Sequence, residues 1–301
     1  MVEKPVLYIV FARPEYANQS FAAIKKAQPR KLYFYSNKAR EDNPDEVRRN
    51  EEVRSLVKQI DWDCEIKTWF RDEYVDVFTS LWGAIDWVFD NEEEAIVIEE
   101  DVVTSLAFFE YASTLLDKYR DNKKVSIISG DNATPQFNPS GLGYFPTRIA
   151  DIFGWASWAD RWHSLDRDMK SWPEFRKSKA FHDYYGNWIQ RSMQRYYFDQ
   201  VYRLRPSYNP WDFIFNYNMA LNKTYCLIPF VNTVASIGVI GVNHKVAMES
   251  PLSEIKIETD YFPFDMDEPD IIEPTSFDNK YYYSFRVKRM IKRKIRQLLG
   301  H

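Results

Sequence analysis

Three consecutive carboxylates, Glu99, Glu100 and Asp101, follow the short apolar segment 95–98. Adjacent carboxylates repel one another, and the arrangement is costly unless a cation neutralises them. Hard divalent ions such as Mg²⁺ and Mn²⁺ take oxygen ligands and are commonly shared between one or two carboxylates and substrate phosphates. The triplet therefore indicates a metal site. A solvated acidic turn is the alternative, since another acidic run, residues 92–94, lies just upstream.

The glycines are distributed unevenly, and all nine lie at or after Gly83. A dinucleotide-binding fingerprint or a Walker loop needs glycines directly after the first strand, where the backbone must approach phosphate. The first predicted strand covers residues 6–11, so both motifs are excluded at that point. A bound diphosphate must then be neutralised by side chains and a metal.

Short apolar segments alternate with helical periodicity along the first half of the chain. The pattern predicts an α/β fold with a mainly parallel central sheet flanked by helices. Strands are predicted over residues 6–11, 31–36, 64–69, 95–99, 125–129 and 225–231, and helices over 53–60, 78–89 and 106–119. Residues 131–147 are predicted to form a loop because they are rich in Asn, Pro, Gly and Ser.

Ligands of open parallel sheets bind beyond the carboxyl ends of the strands. The residues that follow the predicted strands there are cationic, polar or acidic, and include Arg13, Asn37 and Asp131 as well as the acidic triplet. These groups are therefore expected to converge on one edge of the sheet.

Composition restricts the class of protein further. The net charge of −4 over 301 residues argues against nucleic-acid binding, which normally needs a basic surface. The two cysteines, Cys64 and Cys226, have no metal-ligand spacing and favour a reducing compartment. No segment has the length of a signal peptide core or a membrane span. The expectation is a cytoplasmic protein, soluble or peripheral on a membrane.

The order of several short motifs resembles that of inverting glycosyltransferases of the GT-A type, such as N-acetylglucosaminyltransferase I and related bacterial nucleotide-diphospho-sugar transferases. The motifs span roughly residues 5–245 and are Arg13-Pro14, Trp62-Asp63-Cys64-Glu65, Val97-Ile98-Glu99-Glu100-Asp101 with Phe108-Phe109-Glu110-Tyr111, Ile128-Ser129-Gly130-Asp131-Asn132, Gly154-Trp155-Ala156-Ser157-Trp158 with Arg161-Trp162, and Ile237-Gly238 with His244. Two segments depart from the family pattern, Ser36-Asn37 and residues 74–77, both on the expected nucleotide side.

The resemblance implies a nucleotide-sugar donor, UDP-linked, and a glycan or lipid-linked glycan acceptor. It also implies Mn²⁺ or Mg²⁺ as cofactor. Asp101 would bind the metal directly, and His244 would reach the metal or the phosphates from a late loop, unless it is a solvated surface histidine. The donor would be bound by residues near the strand ends, namely Arg13, Asn37, Arg71, Glu99, Glu100 and Asp131.

The resemblance also implies a catalytic base. An inverting transfer needs a carboxylate that takes the proton of the acceptor hydroxyl and is not a metal ligand. The relatives carry an acidic residue in an Asp-x-Trp-Asp segment, and this chain has Asn209-Pro210-Trp211-Asp212. Asp212 is therefore the predicted base, with Asp160 and Asp199 in reserve. The alternative is that Asp212 only caps a helix that runs to about Leu221.

The family pattern divides the chain into a GT-A catalytic domain, residues 1–248, and a C-terminal part, residues 249–301. The catalytic domain would comprise a nucleotide-sugar half, 1–132, and an aromatic-rich acceptor half, 133–248. Residues 249–280 are acidic and contain prolines, and residues 286–299 form a basic helix candidate. The cations between Arg286 and Arg296 would place that helix on an anionic membrane, or the helix packs on its own domain.

Aromatic residues make up 17% of the chain and concentrate between residues 153 and 217. Most are expected in the core, because buried aromatics dominate core packing. Trp155 and Trp211 are the better candidates for an acceptor groove by their motif positions, whereas Trp158, Trp162, Trp172 and Trp188 are expected mostly in the core.

Two other functions compete with glycosyl transfer. A sugar-nucleotide pyrophosphorylase binds nucleotide and metal on a similar sheet, but normally has a glycine-rich basic loop after its first strand. A non-catalytic carbohydrate-binding protein would explain the aromatic residues and leave the acidic triplet unexplained.

The acidic triplet generates the first testable prediction. Asp101→Asn should remove most turnover of a nucleotide sugar while the fold stays intact, because the diphosphate loses the metal that offsets its charge. Release of nucleoside diphosphate, measured with Mn²⁺ and with a chelator, tests this. Full activity in the presence of the chelator would contradict the metal site.

Overall fold

The computed structural model describes residues 1–132, 143–150 and 152–238, together with residues 257 and 291. The first half follows the predicted alternation of strand and helix. The strands are β1 Val6–Val10, β2 Lys31–Ser36, β3 Glu65–Phe70, β4 Glu94–Glu99, β5 Val102–Thr104 and β6 Val125–Ser129, and the helices are α1 Pro14–Ala27, α2 Pro44–Arg54, α3 Val77–Phe89 and α4 Leu106–Lys118. A 3₁₀ turn, Ser55–Gln59, continues α2.

Local side chains determine where these helices begin. Asn43 accepts a hydrogen bond from the amide of Glu46 before α2, and Asp76 accepts from the amides of Phe78 and Thr79 before α3. Ser105 caps α4 in the same way. α1 starts instead with Pro14, whose fixed φ suits the first helical position.

The second half contains short strands and short helices around two long helices. The elements are β7 Tyr144–Thr147, β8 Trp155–Trp158, α5 Ala159–His163, α6 Trp172–Phe175, α7 Lys179–Tyr184, α8 Trp188–Leu204, α9 Trp211–Asn222, β9 Tyr225–Pro229 and β10 Val234–Ser236. β7 falls inside the segment predicted as a loop, so that prediction is wrong for residues 144–147.

The central sheet has the strand order β3-β2-β1-β4-β8-β6-β9-β7. β3, β2, β1 and β4 are parallel neighbours, and β6 pairs in parallel with β9. β8 is antiparallel to both β4 and β6, and β7 is antiparallel to β9. The sheet is therefore mixed, and the prediction of a mainly parallel sheet is wrong. β8 has only four residues, too few to show an alternating pattern in the sequence. All four are buried, and the strand supplies backbone hydrogen-bond partners to the facing edges of β4 and β6.

Side chains of the sheet alternate between two cores, one on each face. In β1, Leu7 and Ile9 belong to the core that contains α3 and the aromatic half of the chain. Val6, Tyr8 and Val10 belong to the other core, with α1 and α4. This period of two follows from the pleat of a strand and explains why β1 is apolar throughout.

A second sheet of two strands positions the end of the described chain. β10 pairs antiparallel with β5, which follows the acidic triplet directly. Residues 236–238 are thereby held beside Asp101, whose carbonyl accepts a hydrogen bond from the amide of Ile237 at 2.8 Å.

Several predictions lie outside the described residues. They concern His244, the division at residue 248, the acidic segment 249–280 and the basic helix 286–299, of which only residues 257 and 291 are described. They stay predictions. Within the described part of the chain, no helix combines the length and apolarity that crossing a membrane would require.

Close packing at the end of β6 gives a stability prediction. A Cβ on Gly130 would lie 2.5 Å from Val234 Cγ1 and 2.6 Å from Phe108 Cδ2, and both side chains are fully packed. Gly130→Ala should therefore lower the free energy of unfolding by about 1–3 kcal/mol. Gly186 is the matched control, because its Cβ would meet no atom within 4 Å.

Urea denaturation of the two alanine variants measures the difference. Gly186→Ala should change stability by less than about 0.5 kcal/mol. Equal destabilisation in both variants would show that the packing at Gly130 is not the cause.

Candidate active site

The acidic triplet lies at the carboxyl end of β4, as predicted from its position after an apolar strand. Glu99 and Glu100 project in different directions, because successive side chains of a strand point to opposite faces. Glu99 lines a pocket on the side of α9, whereas Glu100 is directed toward β1 and α1.

Glu100 ties the ends of β1 and β4 together. Its carboxylate accepts hydrogen bonds from the Phe11 amide at 2.8 Å and from Arg13 Nε at 2.6 Å. Its carbonyl accepts from Ser20 Oγ on α1 at 2.8 Å. Burial raises the pKa of Glu100, and the adjacent Arg13 guanidinium acts in the opposite direction. Both carboxylate oxygens of Glu100 are thus engaged inside the protein, on the side away from the pocket.

Arg13 bridges two members of the triplet. Besides Glu100, its Nη1 lies 3.1 Å from Asp101 Oδ2. Burial lowers the pKa of Arg13, but the charges of Asp101 and Glu100 outweigh it, so the pKa is raised above the usual value. The guanidinium therefore holds the Asp101 carboxylate in place in this structure.

A pocket of about 410 Å³ lies between Glu99, the first residue of the triplet, and the first turn of α9. Glu99 comes from one side and Asp212 from the other, and the lining includes Trp211, Phe78 and Tyr197. Burial, the charge of Asp101 and the charge of Asp212 raise the pKa of Glu99 to about 8, against the opposing effect of Arg13. The two carboxylates thus interact across the pocket, although they are 113 positions apart in sequence.

Asp212 occupies the second position of α9, and the N-cap is Pro210, which makes no side-chain cap hydrogen bond. The helix is held by Asn216, whose side chain exchanges hydrogen bonds with the amide and carbonyl of Ala150 at 2.9 and 3.0 Å. Asn216 also lines the pocket, and nothing in its sequence context distinguishes it from other asparagines.

The two reserve carboxylates have partners elsewhere. Asp199 accepts from Trp172 Nε1 at 3.0 Å and from Arg176 at 2.8 Å. Asp160 pairs with Lys123 and Arg161 at 2.6 and 2.7 Å. Neither lines the pocket that contains Glu99 and Asp212.

The remaining predicted donor contacts lie at other strand ends. Asn37 is buried and holds Val75, accepting from its amide at 3.3 Å and donating to its carbonyl at 2.8 Å. Arg71 donates from Nε to Tyr35 OH at 2.5 Å and stacks 4.5 Å over Trp69. Asp131 is buried after β6, and its amide donates to Ser129 Oγ at 3.2 Å. Asn37, Arg71 and Asp131 thus lie outside the cluster. That cluster consists of Arg13, Glu99, Glu100 and Asp101.

Most of the tryptophans are buried in the core, as the sequence predicts. Trp155, Trp158, Trp162 and Trp172 are each less than 2% exposed. Trp211 lines the pocket, and Trp155 packs behind it with a ring distance of 4.8 Å. Trp188 is the exception, being 68% exposed on α8.

The described residues provide few side-chain ligands for a metal ion. Among the described residues, no group of three His, Cys, Asp or Glu side chains could hold one. Asp101 alone fits Mg²⁺ or Mn²⁺ only if the diphosphate and water supply most of the oxygen ligands, which is common for Mg²⁺. Gly238, the last described residue before His244 in the sequence, lies against the Asp101 carboxylate.

No protein-family model and no curated protein sequence matches the chain. Among solved structures, HddC from Yersinia pseudotuberculosis aligns at 9% identity over 52% of this chain and 77% of its own, with a TM-score of 0.31. A UDP-glucose pyrophosphorylase complexed with UDP-glucose aligns at 7% identity over 75% of this chain and 90% of its own, with a TM-score of 0.38. A putative glucose-1-phosphate thymidylyltransferase from Bacillus anthracis aligns at 9% identity over 87% of this chain and 100% of its own, with a TM-score of 0.39.

At these TM-scores the alignments assign neither a family nor an activity to the chain. The relation to inverting GT-A enzymes therefore stays a prediction.

The connection made by Glu100 gives a prediction about stability. Glu100→Gln keeps an acceptor for the Phe11 amide but removes one of the two carboxylates that face Arg13, the other being Asp101. The free energy of unfolding should fall by about 1.5–3 kcal/mol, because a buried charge-assisted hydrogen bond is lost. Urea denaturation measures the loss. Glu110→Gln is the matched control on an exposed position and should change stability by less than about 0.5 kcal/mol. Similar stability of the two variants would contradict the structural role of Glu100.

Proposed function

We propose that the protein is a metal-dependent inverting glycosyltransferase that moves a sugar from a nucleotide-diphosphate sugar, with UDP as the nucleotide, to a glycan or lipid-linked glycan acceptor. The observation that supports it is the pocket that brings Glu99, from the acidic end of β4, opposite Asp212, in the first turn of α9. Glu99, a predicted donor-binding residue, and Asp212, the predicted base, can therefore contact one bound sugar from two sides.

Asp101 would hold Mg²⁺ or Mn²⁺, which supplies positive charge to the diphosphate as it leaves. Arg13 and Glu100 act as positioning residues, because Arg13 contacts the carboxylates of both Glu100 and Asp101.

Asp212 takes the proton of the acceptor hydroxyl as that oxygen attacks the anomeric carbon. Its place on α9, separate from the Asp101 cluster, meets the requirement that the base is not a metal ligand. The ring of Trp211 and the side chains of Phe78 and Tyr197 give the pocket an apolar lining with few polar groups, which is typical of small-molecule sites.

Sugar-nucleotide pyrophosphorylase is the second candidate, since two of the aligned solved structures bear the names of enzymes that act on nucleotides and sugars. The site itself favours glycosyl transfer. The connection of β1 to α1 is only residues 11–13 and contains no glycine. Pro14 has no amide hydrogen, and the amides of Tyr16 and Ala17 both donate to the Arg13 carbonyl. Few backbone amides are left there to bind a triphosphate.

Asp212→Asn separates a catalytic from a structural role of this carboxylate. Asparagine fits a helix N-terminus about as well as aspartate, so stability should change little. The loss of a general base should lower turnover by about 10²–10⁴-fold while donor binding persists. A panel of UDP-sugars with Mn²⁺, with UDP release and donor affinity as readouts, measures both effects.

Asp168→Asn, on an exposed position outside the pocket, is the control and should retain wild-type turnover. Near-normal UDP release by Asp212→Asn would reject the base. Formation of UTP from UDP-sugar and pyrophosphate by the wild-type protein would favour the pyrophosphorylase, and sugar binding without any turnover would favour a non-catalytic protein.

A further inference from the structure

The outward face of α8 has an unusual composition. Residues 188, 192, 195, 199 and 202 follow the spacing of one helix face, with intervals of three and four positions, and residues 196 and 203 lie beside them on the same face. The opposite face is buried in the aromatic core through Gln190, Met193, Gln194, Phe198 and Val201. The outward stripe of such a helix normally carries charged and polar residues. We call residues 188, 192, 195, 196, 199, 202 and 203 the outer α8 face.

Three large aromatic side chains lie on the outer α8 face. Trp188 is 68% exposed, Tyr196 59% and Tyr202 42%, and Leu204 is exposed at the end of the helix. Trp188 and Tyr202 are about 21 Å apart along the helix axis at 1.5 Å per residue. Exposed rings are therefore presented along most of the helix; Tyr196 contacts its neighbour Tyr197, with ring centroids 5.7 Å apart, and stays 59% exposed.

The same face is positively charged. Arg195 and Arg203 are exposed and form no ion pair with any residue that the structure describes. Asp199, the acidic residue of the stripe, is already bound by Arg176 and by Trp172 Nε1. The free charge of the outer α8 face is thus cationic, although the whole chain carries a net charge of −4.

We propose that the outer α8 face binds the surface of an anionic lipid bilayer. Tryptophan and tyrosine are enriched at the level of lipid headgroups because one part of each ring is apolar and the other forms hydrogen bonds. Arginine next to them is attracted to anionic headgroups, and an interfacial helix combines these two features. A neutral glycan would use the aromatic rings and accept hydrogen bonds from the arginines, but only an anionic surface is also attracted by their two positive charges. Arg195 lies 5.6 Å from the Phe181 ring centroid, which does not neutralise its charge, so the charge favours the bilayer.

This surface also has a consequence for the substrate, which rests on the proposed function. Gln194 and Tyr197 line the pocket from the inner side of the same helix. A bilayer on the outer side would lie about one helix diameter, roughly 10 Å, from the pocket. That separation suits an acceptor sugar that remains attached to a lipid. Vesicle binding itself requires no substrate, so it is tested independently of catalysis.

Sedimentation of the full chain with lipid vesicles tests the proposal. We expect binding to mixed phosphatidylcholine–phosphatidylglycerol vesicles, weaker binding at high salt, and little binding to phosphatidylcholine alone. Arg195→Glu with Arg203→Glu should weaken partitioning to the mixed vesicles by about tenfold or more. Trp188→Ser with Tyr196→Ser should weaken it as well. All four positions are exposed, so the fold should be retained, and circular dichroism verifies this.

Lys170→Glu with Lys179→Glu is the matched control, because it changes the net charge equally at exposed positions outside α8. It should partition like the wild-type protein. Quenching of tryptophan emission by brominated lipid should fall in Trp188→Phe, which reports contact of this side chain with the bilayer. Wild-type partitioning of both α8 double variants would assign membrane binding to another segment and overturn the proposal. Self-association that Trp188→Ser abolishes would assign the face to a second copy of the chain and also overturn it.

Discussion

The buried ion pair between Arg13 and Glu100 is the interaction on which the site depends. It joins the carboxyl ends of β1 and β4 and the start of α1, and it extends to Asp101 through the same guanidinium. A lone buried carboxylate would be costly, and three adjacent carboxylates more so. Arg13 offsets part of this cost and leaves Glu99 directed into the pocket, where burial, followed by the charges of Asp101 and Asp212, raises the pKa of Glu99. An acidic strand end that is only partly compensated is suited to a cationic ligand.

The mixed sheet determines what lies opposite this acidic end. β8 inserts between β4 and β6 with antiparallel pairing, and its Trp155 packs against Trp211 at the start of α9. Through this contact the aromatic core places Asp212 across the pocket from Glu99. The aromatic residues of the second half therefore act mainly as a rigid support for α9, and only a few of them reach the pocket.

Part of this arrangement could be predicted from the sequence, because it depends on local signals. β2 and β6 have the predicted bounds, and most other predicted strands and helices are present with shifts at their ends. The exception is the helix predicted over 53–60, where α2 ends at Arg54 and residues Ser55–Gln59 form a 3₁₀ turn. These segments have the hydrophobic periodicity and the capping residues that indicate strands and helices in a sequence. β7 and β8 could not be predicted in this way, since each is four residues long and is stabilised by pairing with distant strands.

The sequence by itself determined that carboxylates follow a buried strand and that no glycine loop follows the first one. It also determined that Asp212 opens a helix. Only the tertiary structure decided which of these side chains share a pocket. Glu99 faces Asp212, whereas Glu100, its neighbour in sequence, is directed to the opposite side and engaged by Arg13. The physical reason is that the pleat separates adjacent side chains, while packing between distant elements joins residues that no local pattern relates.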